Sequence, residues 1–429
     1  MRTIHLARSL VPAALLGSLA LAVPGQEPRP PSAREQEELV KAYLALDARS
    51  SAGLAEQRSI LARLETLGEL SESDAKTWRK KLSKLWDKGR TIEKKPGQKH
   101  FWEEEKRGLF IVGGETKRPK GLLVAMHGGG AGEGDAWSAH SAYNSAADDL
   151  GLLALYPQVL ERTEHGWIDS GTEEFVLELL DAALRTWDVD RNRVYFAGHS
   201  MGGYGTWTLG AHHADRLAAL APAAGAATPV FGPDGTVEDV IEGVVPNLRN
   251  LRIVIYQSDD DPRVPPEPNR VAVAKLAEAR ERWGGFDYEY WEVQGRGHEL
   301  PPGGTRAHLD KIAAAERDPL PAKVVWQPAL TWKRHFYWLG WEQPARGAIL
   351  VAEADRERNE VRVECPVNPR GLAVFLDGRL VDLAREVVVT LNGAEVFRGR
   401  PARSLAALVQ SGACGDPALT FECRIPLAR

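Results

Sequence analysis

Apolar residues follow four successive spacings along this chain, and each predicts a different kind of structure. Residues 9–23 form a short, largely apolar run that contains Pro12 and Gly17. Residues 32–89 repeat their apolar positions at helical spacing, which predicts three helices. The first opens at a capping box, Ser32-x-x-Glu35, and sets Leu39, Tyr43, Leu44 and Leu46 on one face. The second, over 51–67, carries Leu54, Ile60, Leu61, Leu64 and Leu67. The third starts at Ser71, buries Trp78, Leu82, Leu85 and Trp86, and stops at Gly89. From about residue 96 short apolar runs take over, at 109–112, 122–126, 152–156, 194–197, 217–220, 253–256 and 288–293. Helix-period segments separate them, at 143–150, 173–187, 202–212, 269–283 and 306–315. Strands alternating with helices predict a mostly parallel sheet covered on both faces.

Beyond residue 318 the helical period ends. Runs at 323–341, 348–352, 360–364, 373–376, 386–391 and 396–398 predict a separate β-rich, sandwich-like domain. Asp377-Gly378 and Asn392-Gly393 read as hairpin turns, and 404–410 as one short helix. The expected organisation is therefore a leader over 1–22, a linker and helical segment over 23–95, an α/β domain over 96–318 and a β-rich domain over 319–429.

The leader reading rests on Arg2 and Arg8 ahead of the apolar run, the absence of any acid before Glu27, and the small-x-small triplet Ala20-Leu21-Ala22. Cleavage after Ala22 would send a mature protein to the periplasm or outside the cell. No later segment reaches the length of a membrane span. Composition is otherwise that of an ordinary globular chain, with 43% hydrophobic and 26% charged residues. A net charge of −5 gives nucleic acid no electrostatic reason to bind. Cys365, Cys414 and Cys423 fit no zinc spacing; an exported chain can oxidise one pair of them and leave one thiol over. No metal site is expected.

Gly198-His199-Ser200-Met201-Gly202 is a G-x-S-x-G sequence directly after a predicted strand and before a predicted helix. A nucleophile on such a sharp turn needs neighbours without Cβ, and the helix N-terminus favours the negative charge that develops in attack. A serine hydroxyl needs a general base and an orienting acid, expected later in the chain in the order acid, then histidine. The strand at 253–256 ends in Asp259-Asp260-Asp261, of which Asp261, three residues before Val264-Pro265, has the favoured spacing; the choice among the three stays open. His298 follows on the glycine loop Gly295-Arg296-Gly297 after the strand at 288–293. His212, His213 and His308 read instead as surface or partly buried residues. After the strand at 122–126 comes His127-Gly128-Gly129-Gly130, where the N–H of Gly128 or Gly129, with that of Met201, can hold an oxyanion.

Residues 100–316 resemble an α/β-hydrolase of the secreted esterase group, which includes feruloyl-type, polyhydroxybutyrate-depolymerase-like and prolyl-oligopeptidase-like catalytic domains. Residues 190–207, DRNRVYFAGHSMGGYGTW, carry the resemblance over their whole length. It implies Ser200 as nucleophile, Asp261 as acid and His298 as base, with no cofactor. Gly166-Trp167 is similar to a substrate-side loop of these esterases, and Trp167 and His127 are the expected substrate contacts. One departure is Ser258, where a glycine is usual. The expected function is hydrolysis of small-molecule or polysaccharide-linked carboxylic esters. The alternatives are a prolyl-oligopeptidase-like peptidase, or a carbohydrate-binding protein in which Trp332, Phe336, Trp338 and Trp341 stack on sugar rings. Loops 130–142, 158–172 and 225–250 should shape the substrate pocket, the last as its roof.

Overall fold

The computed structural model describes residues 29–428, so the leader expected over 1–22 lies outside the described residues. The chain divides into two compact units, up to Gly68 and from Glu69 onward. In the first, α1 (Ala33–Ala45) begins at the Ser32 capping box with both reciprocal hydrogen bonds formed. It packs against α2 (Ser51–Glu65), which Ser50 caps through the Gly53 N–H.

The second unit begins with α3 (Glu72–Trp86), capped by Ser71 and burying Trp78, Leu82 and Trp86. Its central sheet takes β1 (Lys99–Phe101), β2 (Leu109–Gly114), β3 (Gly121–Met126), β4 (Leu152–Pro157), β5 (Val194–His199) and β6 (Ala219–Ala223). A small hairpin follows, β7 (Pro229–Phe231) with β8 (Val237–Val240), and then β9 (Arg252–Ser258) and β10 (Asp287–Val293) complete the sheet. The order is β1-β2-β4-β3-β5-β6-β9-β10, with β1 and β2 antiparallel to their neighbours and the rest parallel. β3 and β4 are buried at every position, as strands covered on both faces must be. Helices α4 (Ala136–Asp149) and α8 (Gly304–Asp310) cover one face, in a cluster with Tyr143, Tyr156 and Leu309. Helices α5 (Thr172–Thr186), α6 (Met201–His212) and α7 (Glu267–Trp283) cover the other, around Phe175, Trp207 and Leu276.

The C-terminal strands make two further sheets. β11 (Lys323–Trp326), β14 (Leu350–Asp355), β15 (Glu360–Glu364), β17 (Val387–Leu391) and β18 (Ala394–Gly399) form one; β12 (His335–Phe336), β13 (Leu339–Trp341), β16 (Leu372–Leu376) and β19 (Cys423–Pro426) form the other. Asn392-Gly393 turns the β17–β18 hairpin, both residues with positive φ. Asp377-Gly378 is not a hairpin turn: β16 pairs with β13 and β19, while β17 pairs in parallel with β15. Asp377 is instead a buried carboxylate held by Arg79 and Arg379. Helix α9 (Leu405–Gly412) packs on α3. These sheets share one hydrophobic cluster with the α5–α7 face, through Val324, Trp326, Phe336 and Trp338.

Polar contacts fasten the same junction. Lys333 pairs with Asp215 at 2.8 Å, Arg317 with Asp416 at 2.7 Å, and Trp332 stacks on His213 with ring centroids 5.9 Å apart. Phe336, Trp338 and Trp341 are fully buried, and the Trp338 and Trp341 indole N–H groups donate to backbone carbonyls. These rings therefore form core, not an exposed platform for sugars. All three cysteines are free thiols, so the oxidised pair is not formed.

His212, His213 and His308 are buried rather than at the surface. Both His212 and His213 hydrogen-bond the Glu173 carboxylate, and His308 bonds the Val254 carbonyl at 2.8 Å. Burial depresses His213 and His308 from 6.5 to about 4. Unfolded, each would take a proton near 6.5, so the unfolded chain binds more protons than the folded one below that pH. The midpoint of urea unfolding is accordingly expected to fall as pH drops from about 6.5 to about 4. His308→Gln, which keeps a donor for the Val254 carbonyl without the titration, should flatten that slope.

Candidate active site

The site forms where the sheet reverses its winding. From β3 the chain steps to β4 on one side and then to β5 on the other, and the C-terminal ends of β3 and β5 leave a crevice between them. Ser200 stands at that end of β5, at φ 58° and ψ −125°, a conformation side chains rarely adopt. The turn is so tight that a Cβ on Gly198 would strike the Gly202 carbonyl, and one on Gly202 the Met126 carbonyl. That is the physical requirement behind the two glycines of the motif. The Ser200 N–H donates to Ala223 O at 2.9 Å, which ties the turn to β6. Met201 is the first residue of α6, whose leading N–H groups have no acceptor within the helix.

Three side chains from three loops meet here. Ser200 Oγ lies 2.8 Å from His298 Nε2, and His298 Nδ1 lies 2.7 Å from Asp261 Oδ2. The other oxygen of Asp261, Oδ1, accepts the N–H groups of Arg263 at 2.9 Å and Val264 at 3.0 Å. Asp261 is buried, so its carboxylate is surrounded by donors and removed from water.

The neighbouring aspartates face elsewhere. Asp259 Oδ1 accepts the Gly295 N–H at 3.0 Å, and Asp260 Oδ1 accepts the Gly297 N–H at 2.7 Å. Ser258, the departure noted in the sequence, donates its hydroxyl to Asp260 and accepts the Arg296 N–H at 3.0 Å. Together Ser258, Asp259 and Asp260 hold the glycine loop that carries His298. His199 packs its ring against His298, centroids 4.9 Å apart, and burial lowers it to about 4, so it adds no positive charge of its own near neutral pH.

His127 and Trp167 have largely structural contacts. His127 Nδ1 donates to the Gly128 carbonyl at 2.8 Å and its Nε2 accepts the Val159 N–H at 3.2 Å, which fixes the tautomer. Burial lowers its pKa further and keeps it neutral. Trp167 Nε1 donates to the His127 carbonyl at 3.0 Å, so the two rings brace the Gly128-Gly129 turn from behind.

Two cavities open on Ser200. The larger, about 640 Å³, is lined by Gly129, Trp167, Met201, Tyr204, Phe231 and Val264 among others. The smaller, about 290 Å³, contains His298, His199, Gly128, Gly129 and Leu300. The β7–β8 hairpin, inside the long loop expected as a roof, supplies Pro229 and Phe231 to the larger cavity, and Phe231 is 61% exposed at its mouth. Arg263, Tyr204 and Ile168 also line this site without having been singled out one by one; Tyr204 falls within the 190–207 stretch and Ile168 within the loop 158–172 expected to shape the pocket. No group of metal-ligating side chains is present among the described residues.

Eight strands in this order with a strand–serine–helix turn at the switch point make an α/β-hydrolase architecture. No family model matches the chain. Over 198 residues it is 27% identical to a bifunctional acetylxylan esterase/xylanase of Neocallimastix patriciarum, covering 41% of this chain and 28% of that protein. Over 136 residues it is 30% identical to an acetylxylan esterase of Coprinopsis cinerea, covering 28% of this chain and 36% of that one. The chain thus spans about a third of the length of these relatives. Among solved structures, a thermostable esterase matches with TM-score 0.39 and 21% identity, over 51% of this chain and 62% of that one. No helix among the described residues is long and apolar enough to cross a membrane.

Proposed function

We propose that this chain is a serine hydrolase of carboxylic esters. The observation that carries the reading is the continuous hydrogen-bonded line from Ser200 Oγ through the His298 imidazole to Asp261. In the proposed reaction His298 Nε2 takes the Ser200 proton as Oγ attacks the ester carbonyl. The carbonyl oxygen becomes an oxyanion held by the N–H of Met201 with that of Gly128 or Gly129. His298 then protonates the departing alcohol oxygen, leaving an acyl-Ser200 that water hydrolyses by the same route in reverse. Asp261 holds the imidazole with its Nδ1 proton inward and stabilises the imidazolium. No cofactor takes part in this scheme.

The leaving oxygen must reach His298 Nε2, and His298 lines only the smaller cavity, so the alcohol part belongs there and the acyl part in the larger one. The acetylxylan esterases among the relatives favour esters attached to a polysaccharide as the substrate class. The N-terminal sequence favours export, where such polymers are met.

Hydrolysis of p-nitrophenyl acetate, butyrate and octanoate tests the reading. The wild-type chain is expected to turn over at least acetate and butyrate, since the larger cavity admits both. Release of p-nitrophenol no faster than from a Ser200→Ala variant would refute ester hydrolysis. Cleavage of peptidyl p-nitroanilides in place of the esters would favour a peptidase.

A further inference from the structure

The two cavities beside Ser200 differ in charge. The larger is lined by the carboxylates Glu133 and Glu164, the latter 3.2 Å from the Ala131 N–H, as well as by Arg263. Among the described residues the smaller has no acid in its lining, and Arg263 is its only permanently charged side chain. The three histidines there carry no permanent charge. His127 and His199 are held neutral by burial near neutral pH, and His298 is engaged with Ser200 and Asp261.

Arg263 is exposed, and its position is fixed at the backbone by the N–H it gives to Asp261 Oδ1. Its guanidinium has no ion pair or hydrogen bond with any of the described residues. Several arginines of this unit are tied up by carboxylates: Arg252 by Asp287 and Glu289, Arg270 by Glu292, Arg317 by Asp416. Arg263 therefore presents a planar five-donor fork, suited to a carboxylate, to the pocket that receives the leaving alcohol.

We infer that the alcohol part of the substrate carries a carboxylate, as a hydroxy acid or a uronate unit does, and that Arg263 recognises it. The inference rests on the proposed ester hydrolysis and adds the chemical class of the leaving group. The carboxylate is a handle and takes no part in bond exchange: the acyl carbon–oxygen bond breaks, the alcohol oxygen takes its proton from His298, and the hydroxy acid leaves with its carboxylate unchanged. Glu133 and Glu164 confine the preference to one side, because they repel an anionic acyl group from the larger cavity.

The test compares two acetate esters of the same length, 4-acetoxybutanoate and 4-acetoxybutanamide, by titrating released acid. They differ only in whether the end of the alcohol part is charged. For the wild-type chain kcat/KM is expected to favour the carboxylate by about tenfold to a hundredfold, the range of a charge-assisted hydrogen bond. The preference should shrink as salt is raised. In Arg263→Gln the ratio should fall to about one or below, and Arg263→Lys should restore part of it. Taking the ratio within each variant cancels any disturbance that the substitution passes to Asp261. A wild-type ratio of one or less, or a preference that survives Arg263→Gln, would overturn the inference and leave ester hydrolysis standing. Failure of the wild-type chain to hydrolyse either ester while it cleaves p-nitrophenyl acetate would overturn the inference alone, and failure on all three would overturn both.

Discussion

Replacing Ser200 by alanine is expected to lower kcat/KM for p-nitrophenyl acetate by about 10⁴- to 10⁶-fold, and replacing His298 by alanine should do nearly the same. Among the described residues the hydroxyl is the only nucleophile in the line and the imidazole the only base within 2.8 Å of it, so neither function has a substitute nearby. His199, the other ring in contact with His298, is the tempting replacement, but its place behind His298 gives it no hydrogen bond to Oγ. The effects should not add. A Ser200→Ala/His298→Ala double variant is expected to be no slower than either single one, because each substitution alone already disables proton transfer and attack together. Both variants should keep the wild-type free energy of unfolding within about 1 kcal/mol, since Ser200 and His298 face the cavities and do not fill core. Rates that fell only tenfold, or that fell in parallel with stability, would count against the proposed roles.

The second large effect is expected at Asp261. In Asp261→Asn the oxygen of the new amide is committed, because the Arg263 and Val264 N–H groups both require an acceptor at that position. The amide NH₂ is then left facing His298 Nδ1, donor toward donor. The imidazole can answer only by moving its proton to Nε2, which makes it unable to accept the Ser200 proton. A loss of about 10⁴-fold in kcat follows. Asp260→Asn is the control. Its Oδ1 accepts from Gly297 N–H and from the Ser258 hydroxyl, and an amide oxygen can accept both. That variant should stay within about tenfold of wild type. Steady-state kinetics on the two variants side by side would separate the aspartates; an equal loss at both positions would mean that the acid role is shared or misassigned.

The same contrast marks where sequence reading reaches and where it stops. The strand runs at 122–126, 152–156 and 253–256 lie within β3, β4 and β9, because strands buried on both faces leave an apolar block that no polar residue interrupts. Ser32 and Ser71 mark helix starts for a reason equally local, a hydroxyl accepting an N–H three residues on. The helix expected at 143–150 in fact begins at Ala136, capped by Asp135; apart from Trp137 its first turns are built of alanine, serine and histidine, which give little periodic contrast. Asp377-Gly378 misled because a turn dipeptide reports only a local bend, whereas the partners of β16 are set by distant chain. The aromatic residues around position 338 left a related choice open, between a platform for sugars and a buried seam. Aromatic spacing shows that a face exists, and what covers it depends on the docking of α6 and its flanking residues. At the site, Ser200 and His298 stand out through their glycine surroundings. The division of labour among Asp259, Asp260 and Asp261 does not, since it is decided by which backbone N–H each carboxylate meets.

The central claim is that Ser200 Oγ is an activated nucleophile, and a fluorophosphonate probe tests it most directly. The reagent forms a phosphorus–oxygen bond with an activated serine and releases fluoride. Intact-mass measurement of the wild-type chain should show one adduct, and peptide mapping should place it on Ser200. Ser200→Ala should take up none, and His298→Ala should label far more slowly. An unlabelled wild-type chain, or an adduct on another residue while ester hydrolysis continues, would contradict the account.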